Sequence, residues 1–167
     1  MELRIISDPI RLAEFLNNSE TTGNIVDSCD QYFIKPDALY VGVYEGYLLV
    51  GVHEVRNFWH TVVEVHPIYD RGFRGKYAIE GHRLFFQWLL KNSTFTNIIT
   101  MVPDTTRYGA VAAVRVGGVR VGHLDDAYIS YGKPIGVTIY QMTRRRCEEL
   151  YNVDLSDIKQ APVQRGV

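Results

Sequence analysis

The chain has 167 residues, of which 46% are hydrophobic and 22% charged, the balance of a soluble protein with one core. A formal net charge of −1 argues against bulk nucleic acid as the main partner. Two cysteines, Cys29 and Cys147, lack metal-like spacing, and the absence of any run of about 18 apolar residues excludes a membrane-spanning helix. The start, MELRIISDPI, shows no secretory signal, so the expected location is cytoplasmic.

Glu2 to Ser7 reads as a short strand. Asp8-Pro9 then opens a helix, with Asp8 as N-cap and Pro9 in the first helical position, and Leu12, Ala13, Phe15 and Leu16 give it an apolar face to about Asn17. From Glu20 to Pro36 the signal is mixed. Thr21-Thr22-Gly23-Asn24 is loop chemistry, Asp30 to Lys35 could form a short helix, and Tyr32 and Phe33 suit either a packed connector or a site cover. Two β-rich runs, Ala38–Tyr44 and Tyr47–Val55, flank Glu45-Gly46 and predict a hairpin. A turn at Arg56-Asn57 is expected next, leading into a third antiparallel strand over Phe58–His66. Alternation along it puts Trp59, Thr61, Val63 and Val65 on one face and His60, Val62, Glu64 and His66 on the other.

The segment from His60 to Gly81 holds the sharpest signal. A strand stops near Pro67, a basic glycine-bearing loop follows (Arg71-Gly72-Phe73-Arg74-Gly75-Lys76), and an apolar-faced helix runs from Tyr77 to Lys91. Strand, glycine loop and helix N-terminus aim free amides and positive potential at phosphate. Phe95–Val102 then reads as a strand parallel to the one before the helix. Thr105–Val116 is helix or strand by composition, Val119–Tyr128 and Gly136–Met142 are strands, and Asn152–Val167 is a loose tail. The expected organisation is a single domain over residues 1–151 followed by that tail.

This order resembles the GNAT (Gcn5-related N-acetyltransferase) superfamily over roughly residues 2 to 143. Val65-His66-Pro67-Ile68-Tyr69 looks like the family's V-x-P-x-Y at the end of its fourth strand. Arg74-Gly75-Lys76-Tyr77-Ala78-Ile79-Glu80-Gly81 looks like its loop-to-helix segment, and Val102-Pro103-Asp104 and Gly117-Gly118-Val119 are similar to later landmarks. The resemblance implies a mixed α/β fold: a central, mostly antiparallel sheet with one parallel, splayed strand pair and flanking helices. It implies acetyl-CoA as cosubstrate and an amine as acceptor, with no metal. By position, Val63 and Val65 would meet the pantetheine arm, and Arg71, Arg74, Gly75, Lys76, Tyr77 and Ala78 would cradle the phosphates. The implied acceptor-side elements lie around Glu20–Pro36 and Tyr128–Ile135.

The chain departs from the family pattern in three places. Its loop lacks the glycine expected between Lys76 and Tyr77, so the spacing is one residue out. Thr106 or Arg107 stands where an Asn usually opens the fourth helix. The tyrosine that often acts as acid there has no counterpart, since Ala113 and Val114 take its place.

Acetyl transfer needs a base for the ammonium, a donor for the oxyanion and an acid for the thiolate. Glu64 is the candidate base, through a raised pKa or a water, and its competing role is a partner for a basic neighbour on the sheet. Tyr108 is the nearest candidate acid, and a backbone N–H near Val65 the candidate oxyanion donor. His60 and His66 with Glu64 could hold a metal only with a further ligand, and none is evident. Arg144-Arg145-Arg146 reads as a solvated end or a partner contact. Small GNAT-like proteins of tailed bacteriophages, some connected with head assembly, are similar in size and layout. The alternative is therefore a catalytically silent interaction module with a protein or virion partner, located within a virion. Monomer and homodimer both stay open.

Overall fold

The computed structural model describes residues 1–18, 32–130 and 132–151, with backbone alone at Tyr128 and Ser130. The elements are β1 (Glu2–Ile5), α1 (Pro9–Leu16), β2 (Leu39–Glu45), β3 (Leu48–Trp59) and β4 (Val62–Tyr69). A 3₁₀ turn (Arg71–Phe73), α2 (Lys76–Asn92), β5 (Asn97–Pro103), α3 (Arg107–Arg115), β6 (Val119–Ser130), β7 (Lys133–Thr143) and α4 (Arg144–Tyr151) complete the order. The strands form one sheet in the order β1-β2-β3-β4-β5-β7-β6. Every neighbouring pair is antiparallel except β4 and β5, which are parallel. The mixed α/β architecture expected from the sequence is the one observed.

Local chemistry explains where the helices start. Asp8 Oδ1 accepts from the Ile10 and Arg11 amides at 2.9 and 3.2 Å, and Pro9 supplies no N–H that would need a partner. The ambiguous stretch after β5 is helix, ended where Gly117 takes φ 96°. On one face of the sheet, Val41, Val55, Val65, Ile98 and Met142 pack under α2 and α4 against Phe85, Phe86, Leu89, Leu90 and Cys147. On the other, α1 sets Leu12 and Leu16 against Tyr40, Tyr44, Leu49, Val52 and Ile68.

Two expectations need correction. The predicted turn at Arg56-Asn57 is strand: β3 runs on to Trp59, and the chain reverses at His60 (φ 49°) and Thr61. Arg56 and Asn57 are polar but sit in register with Glu64 and Val63, and an ion pair to Glu64 keeps Arg56 in the sheet. His60 therefore leaves the strand face it was assigned to share with His66. The basic run Arg144-Arg145-Arg146 opens α4; Arg145 is solvated and pairs with Glu149, but Arg144 and Arg146 are structural. Arg144 Nη1 and Nη2 donate to the Ser93 and Leu90 carbonyls at 2.9 and 3.1 Å, closing the C-terminus of α2, and Arg146 Nε donates to the Gly117 carbonyl at 2.6 Å. The expected tail (152–167) and residues 19–31 of the connector lie outside the described residues, and Tyr32 to Lys35 form no helix.

Candidate active site

The parallel pair is short. β4 and β5 are in register only at Val62/Asn97, Val63/Ile98 and Glu64/Ile99. Beyond Glu64 each strand follows its other neighbour: β4 stays paired to β3 as far as Tyr69/Gly51, and β5 to β7 as far as Pro103/Val137. The two strands therefore diverge, and the edges that face each other past Glu64 make no ladder to one another. Unladdered backbone inside a sheet seeks a partner, so an extended, amide-bearing ligand could pair there. Val63 lies below the fork, laddered to Ile98, and Val65 is the first of the two predicted valines on the open edge; its side chain is in the core.

At the mouth of the fork the chain turns into α2. Asp70 Oδ1 accepts from the Gly72 amide at 2.8 Å and tightens the turn. Gly75 is the N-cap of α2 at φ 74°, where a side chain would be strained, and no side chain caps the helix. The amides of Lys76, Tyr77 and Ala78 are thus first-turn donors without intrahelical acceptors. A Cβ at Gly75 would meet nothing within 4 Å, so the space beside this cap is open. Arg71 and Lys76 are exposed beside them. Arg74 reaches across the mouth: its Nε donates to the Tyr69 carbonyl at 3.4 Å and its guanidinium lies 5.0 Å from the centre of the Tyr108 ring. An uncapped helix end with basic side chains around it fits a phosphorylated ligand.

Tyr69 holds this mouth in place. Its ring lies over Gly51 on β3 and under Gly81 on α2, where an added Cβ would come within 2.5 and 2.2 Å of it. The Tyr69 hydroxyl lies 3.3 Å from His82 Nδ1, and that nitrogen lies 3.0 Å from His53 Nε2. Both histidines are buried, His53 stacks on Phe85, and burial lowers both of their pKa values, that of His82 to about 4.

A buried polar network occupies the α1 side of β3 and β4. Register sets Arg56 opposite Glu64 and Glu54 opposite His66. Arg56 Nη2 lies 2.8 Å from Glu64 Oε2, and its Nε 3.1 Å from Glu54 Oε1. His66 Nε2 lies 2.8 Å from Glu64 Oε1 and 3.0 Å from Arg56 Nη2. A single imidazole nitrogen cannot serve both: protonated it donates to Glu64, bare it accepts from Arg56. Glu54, 0% exposed, also takes Lys35 Nζ at 2.9 Å and the hydroxyls of Tyr32 and Tyr40. The two carboxylates separate electrostatically. Burial raises the Glu54 pKa despite His66 and Arg56. Burial also pushes Glu64 up, but the hydrogen bond and charge of His66, with Arg56 and Lys35, outweigh it and hold Glu64 below its usual value.

The predicted site residues thus fall into two groups. Arg71, Arg74, Gly75, Lys76, Tyr77 and Ala78 gather at the mouth with Tyr108, whose hydroxyl burial shifts upward. Glu64 sits at the apex, and strand from there to Tyr69 spans about 17 Å, so the structure does not bring the candidate base and acid together. Sequence reasoning missed Lys35, Glu54 and Arg56. Alternation with Val52 puts Glu54 on that face within the predicted strand, and Arg56 joins it once β3 is extended one residue past Val55. Among the described residues no group of histidines, cysteines and carboxylates could hold a metal ion, and no helix is long and apolar enough to cross a membrane.

A family model described as a protein of unknown function, DUF2824, matches residues 3–153. The chain belongs to the DUF2824 family. Protein p31 of Acyrthosiphon pisum secondary endosymbiont phage 1 is 35% identical over 152 residues, covering 91% of this chain and 96% of that protein. Among solved structures, this DUF2824 member is similar to a mutant form of the spermidine/spermine N-acetyltransferase SpeG from Vibrio cholerae, with a TM-score of 0.73, 15% identity, and 89% and 96% of the two chains covered. It is similar also to smu.2055 from Streptococcus mutans UA159, with a TM-score of 0.71, 13% identity, and 86% and 99% coverage. At these identities the likeness shows a shared fold, that of the GNAT acetyltransferases.

Proposed function

We propose that this phage-type DUF2824 protein is an acyl-CoA-dependent N-acetyltransferase that uses acetyl-CoA to acetylate an amine. The observation that carries the reading is a fork that opens where the β4–β5 ladder ends at Glu64 and whose mouth holds the uncapped N-terminus of α2. Coenzyme A joins an amide-bearing arm to a pyrophosphate, and those two features match an open strand edge and a free helix end. Lys76, Tyr77 and Ala78 would hold the pyrophosphate through their amides, with Arg71, Arg74 and Lys76 adding charge. The backbone from Val65 onward would pair with the arm, while Val63 would support it from below. The bound thioester supplies the acyl group. The Val65 amide, on the open edge, is placed to donate to the oxyanion.

At the apex, Glu64 is ionised at neutral pH and fully engaged. It holds His66 at Nε2, so Glu64 acts on the acceptor ammonium through a water. Tyr108 at the mouth closes against Arg74 and is better suited to covering the cofactor than to protonating the thiolate. Isothermal titration with coenzyme A tests the reading. Saturable binding is expected, and none at millimolar ligand would overturn it. The phage origin of the 35% identical relative favours a second reading, a GNAT-fold interaction module of a virion. Copurification with phage particles, together with no turnover of acetyl-CoA, would select it.

A further inference from the structure

Lys35 is held in an unusual way for a lysine. Its backbone N–H donates to the Tyr40 hydroxyl at 2.9 Å, which aims the side chain inward. Its ammonium then sits 2.9 Å from Glu54 Oε1 and 5.7 Å from the centre of the Tyr32 ring. Glu54 has no exposure, yet the Lys35 side chain that pairs with it is 39% exposed, so a buried carboxylate fixes a side chain that still borders the surface. Among the described residues, Lys76, Lys91 and Lys133 are all exposed, and none makes an ion pair.

The position matters because of what adjoins it. Glu54 faces His66 across the β3–β4 ladder, and Arg56 bridges Glu54 to Glu64 at the apex of the fork. Glu64 lies diagonally from Glu54 across the ladder, two residues along from the His66 that Glu54 faces, roughly 7–8 Å away, a span that a lysine's flexible stem can cover. A ligand arm lying along the open edge of β4 would present its acyl group on that same strand.

We propose that Lys35 is an acceptor in its own right, acetylated on Nζ by the chain that carries it. This rests on the coenzyme A reading above. In the step, the Lys35 ammonium gives one proton to the Glu54 carboxylate. The neutral nitrogen attacks the thioester carbonyl carbon, a C–N bond forms and the C–S bond breaks. The second nitrogen proton goes to the departing thiolate, leaving acetyl-lysine and the free thiol, and Glu54 returns its proton to water. Burial favours the first transfer at both ends, since it raises the Glu54 pKa and lowers that of Lys35, which the charge of Arg56 lowers further. Once acetylated, Lys35 no longer neutralises Glu54, and that carboxylate is left to Arg56 and the tyrosines.

The test is intact-mass and peptide mass spectrometry of the full chain incubated with acetyl-CoA. One acetyl group is expected on Lys35, gained at least about tenfold faster than on Lys76, Lys91 or Lys133, as a positioned amine should. Lys35→Arg, which keeps the pairing with Glu54, should remove the fast label, and Gly75→Glu should slow it to the rate of the other lysines. Equal labelling of all lysines, or fast Lys35 labelling that survives Gly75→Glu, would overturn the proposal. So would an unlabelled Lys35 in a chain that titration shows to bind coenzyme A. A chain that binds no coenzyme A would instead bring down the reading underneath.

Discussion

Gly75 and Glu64 illustrate two ways in which a single residue constrains this site. Gly75 at φ 74° has room around it but the wrong backbone for a side chain. Gly75→Ala should cost on the order of 1 kcal/mol of stability, measured by urea unfolding. Gly75→Glu adds a negative charge before the first-turn amides and should abolish coenzyme A binding while circular dichroism still reports the fold. Unchanged affinity would place the ligand elsewhere. Glu64→Gln removes the charge that Arg56 and His66 share, and should cost about 3 kcal/mol. A loss under about 0.5 kcal/mol would mean that the pair is solvated in solution.

The buried histidines set a pH window. His82 is held near 4 in the folded chain against an ordinary 6.5, and His53 is lowered too. Between those values the unfolded chain binds protons that the folded one does not, so stability rises with pH across the window and is lost on acidification from 6.5 toward 4. His82 alone accounts for roughly 3 kcal/mol of this. Glu54, raised by burial, keeps its proton in the folded chain above 4.5 and opposes the histidines there. Glu64, lowered instead, contributes stability above its unfolded value of 4.5 that is lost as pH falls through its folded value. Exposed His123, raised by its hydrogen bond to Asp104, acts in the opposite direction, its contribution lost as pH rises through its folded value. Denaturation midpoints at pH 7 and pH 5 should differ clearly in the wild type and much less in His82→Gln. An equal shift in both would assign the effect to other groups.

Among the elements, α2 does most to place the site, since its N-terminus meets the fork and its C-terminus is closed by another helix. Arg144 donates to two of its last carbonyls and pairs with Glu148 at 2.8 Å. Arg144→Ala should loosen α4 from α2 and cost about 2 kcal/mol, with a larger effect on stability than on coenzyme A affinity. An equal loss of affinity would show that the far end of α2 controls its N-terminus. The elements themselves were largely legible in the sequence. Asp8-Pro9, Glu45-Gly46 and the apolar face of α2 are local signals that tertiary contacts reinforced. The end of β3 was not legible, because Arg56-Asn57 reads as a turn until an ion pair across the ladder is known to hold it. The first turn of α4 was missed for the same reason: three arginines look like a solvated end until the carbonyls of Ser93 and Leu90 are seen to take Arg144 and that of Gly117 to take Arg146.

For the molecule as a whole, the described strands form one sheet in which the β4–β5 pairing stops at Glu64 while both strands run on. Ligand that binds there and not to the unfolded chain should stabilise the fold by mass action, by about 2.7 kcal/mol at a hundredfold excess over Kd. A rising thermal midpoint with coenzyme A, absent in Gly75→Glu, is the expected result. A rise of the same size in both would indicate binding away from the mouth.

By itself the sequence determined the order of the strands and of the first two long helices, the GNAT resemblance, and the loop whose glycine and cations surround a helix start. All of these are written in residues close together in the chain: caps, turns, alternation and periodicity act over a few positions. What only the tertiary structure decided is the distribution of partners. Glu64 lies at the apex, paired to Arg56 and His66, while Tyr108 stands at the mouth with Arg74. Lys35 reaches a carboxylate on a strand that its own stretch of sequence never mentions. Cross-strand register joins residues far apart in the chain, and register depends on how every strand in the sheet has settled against its neighbours.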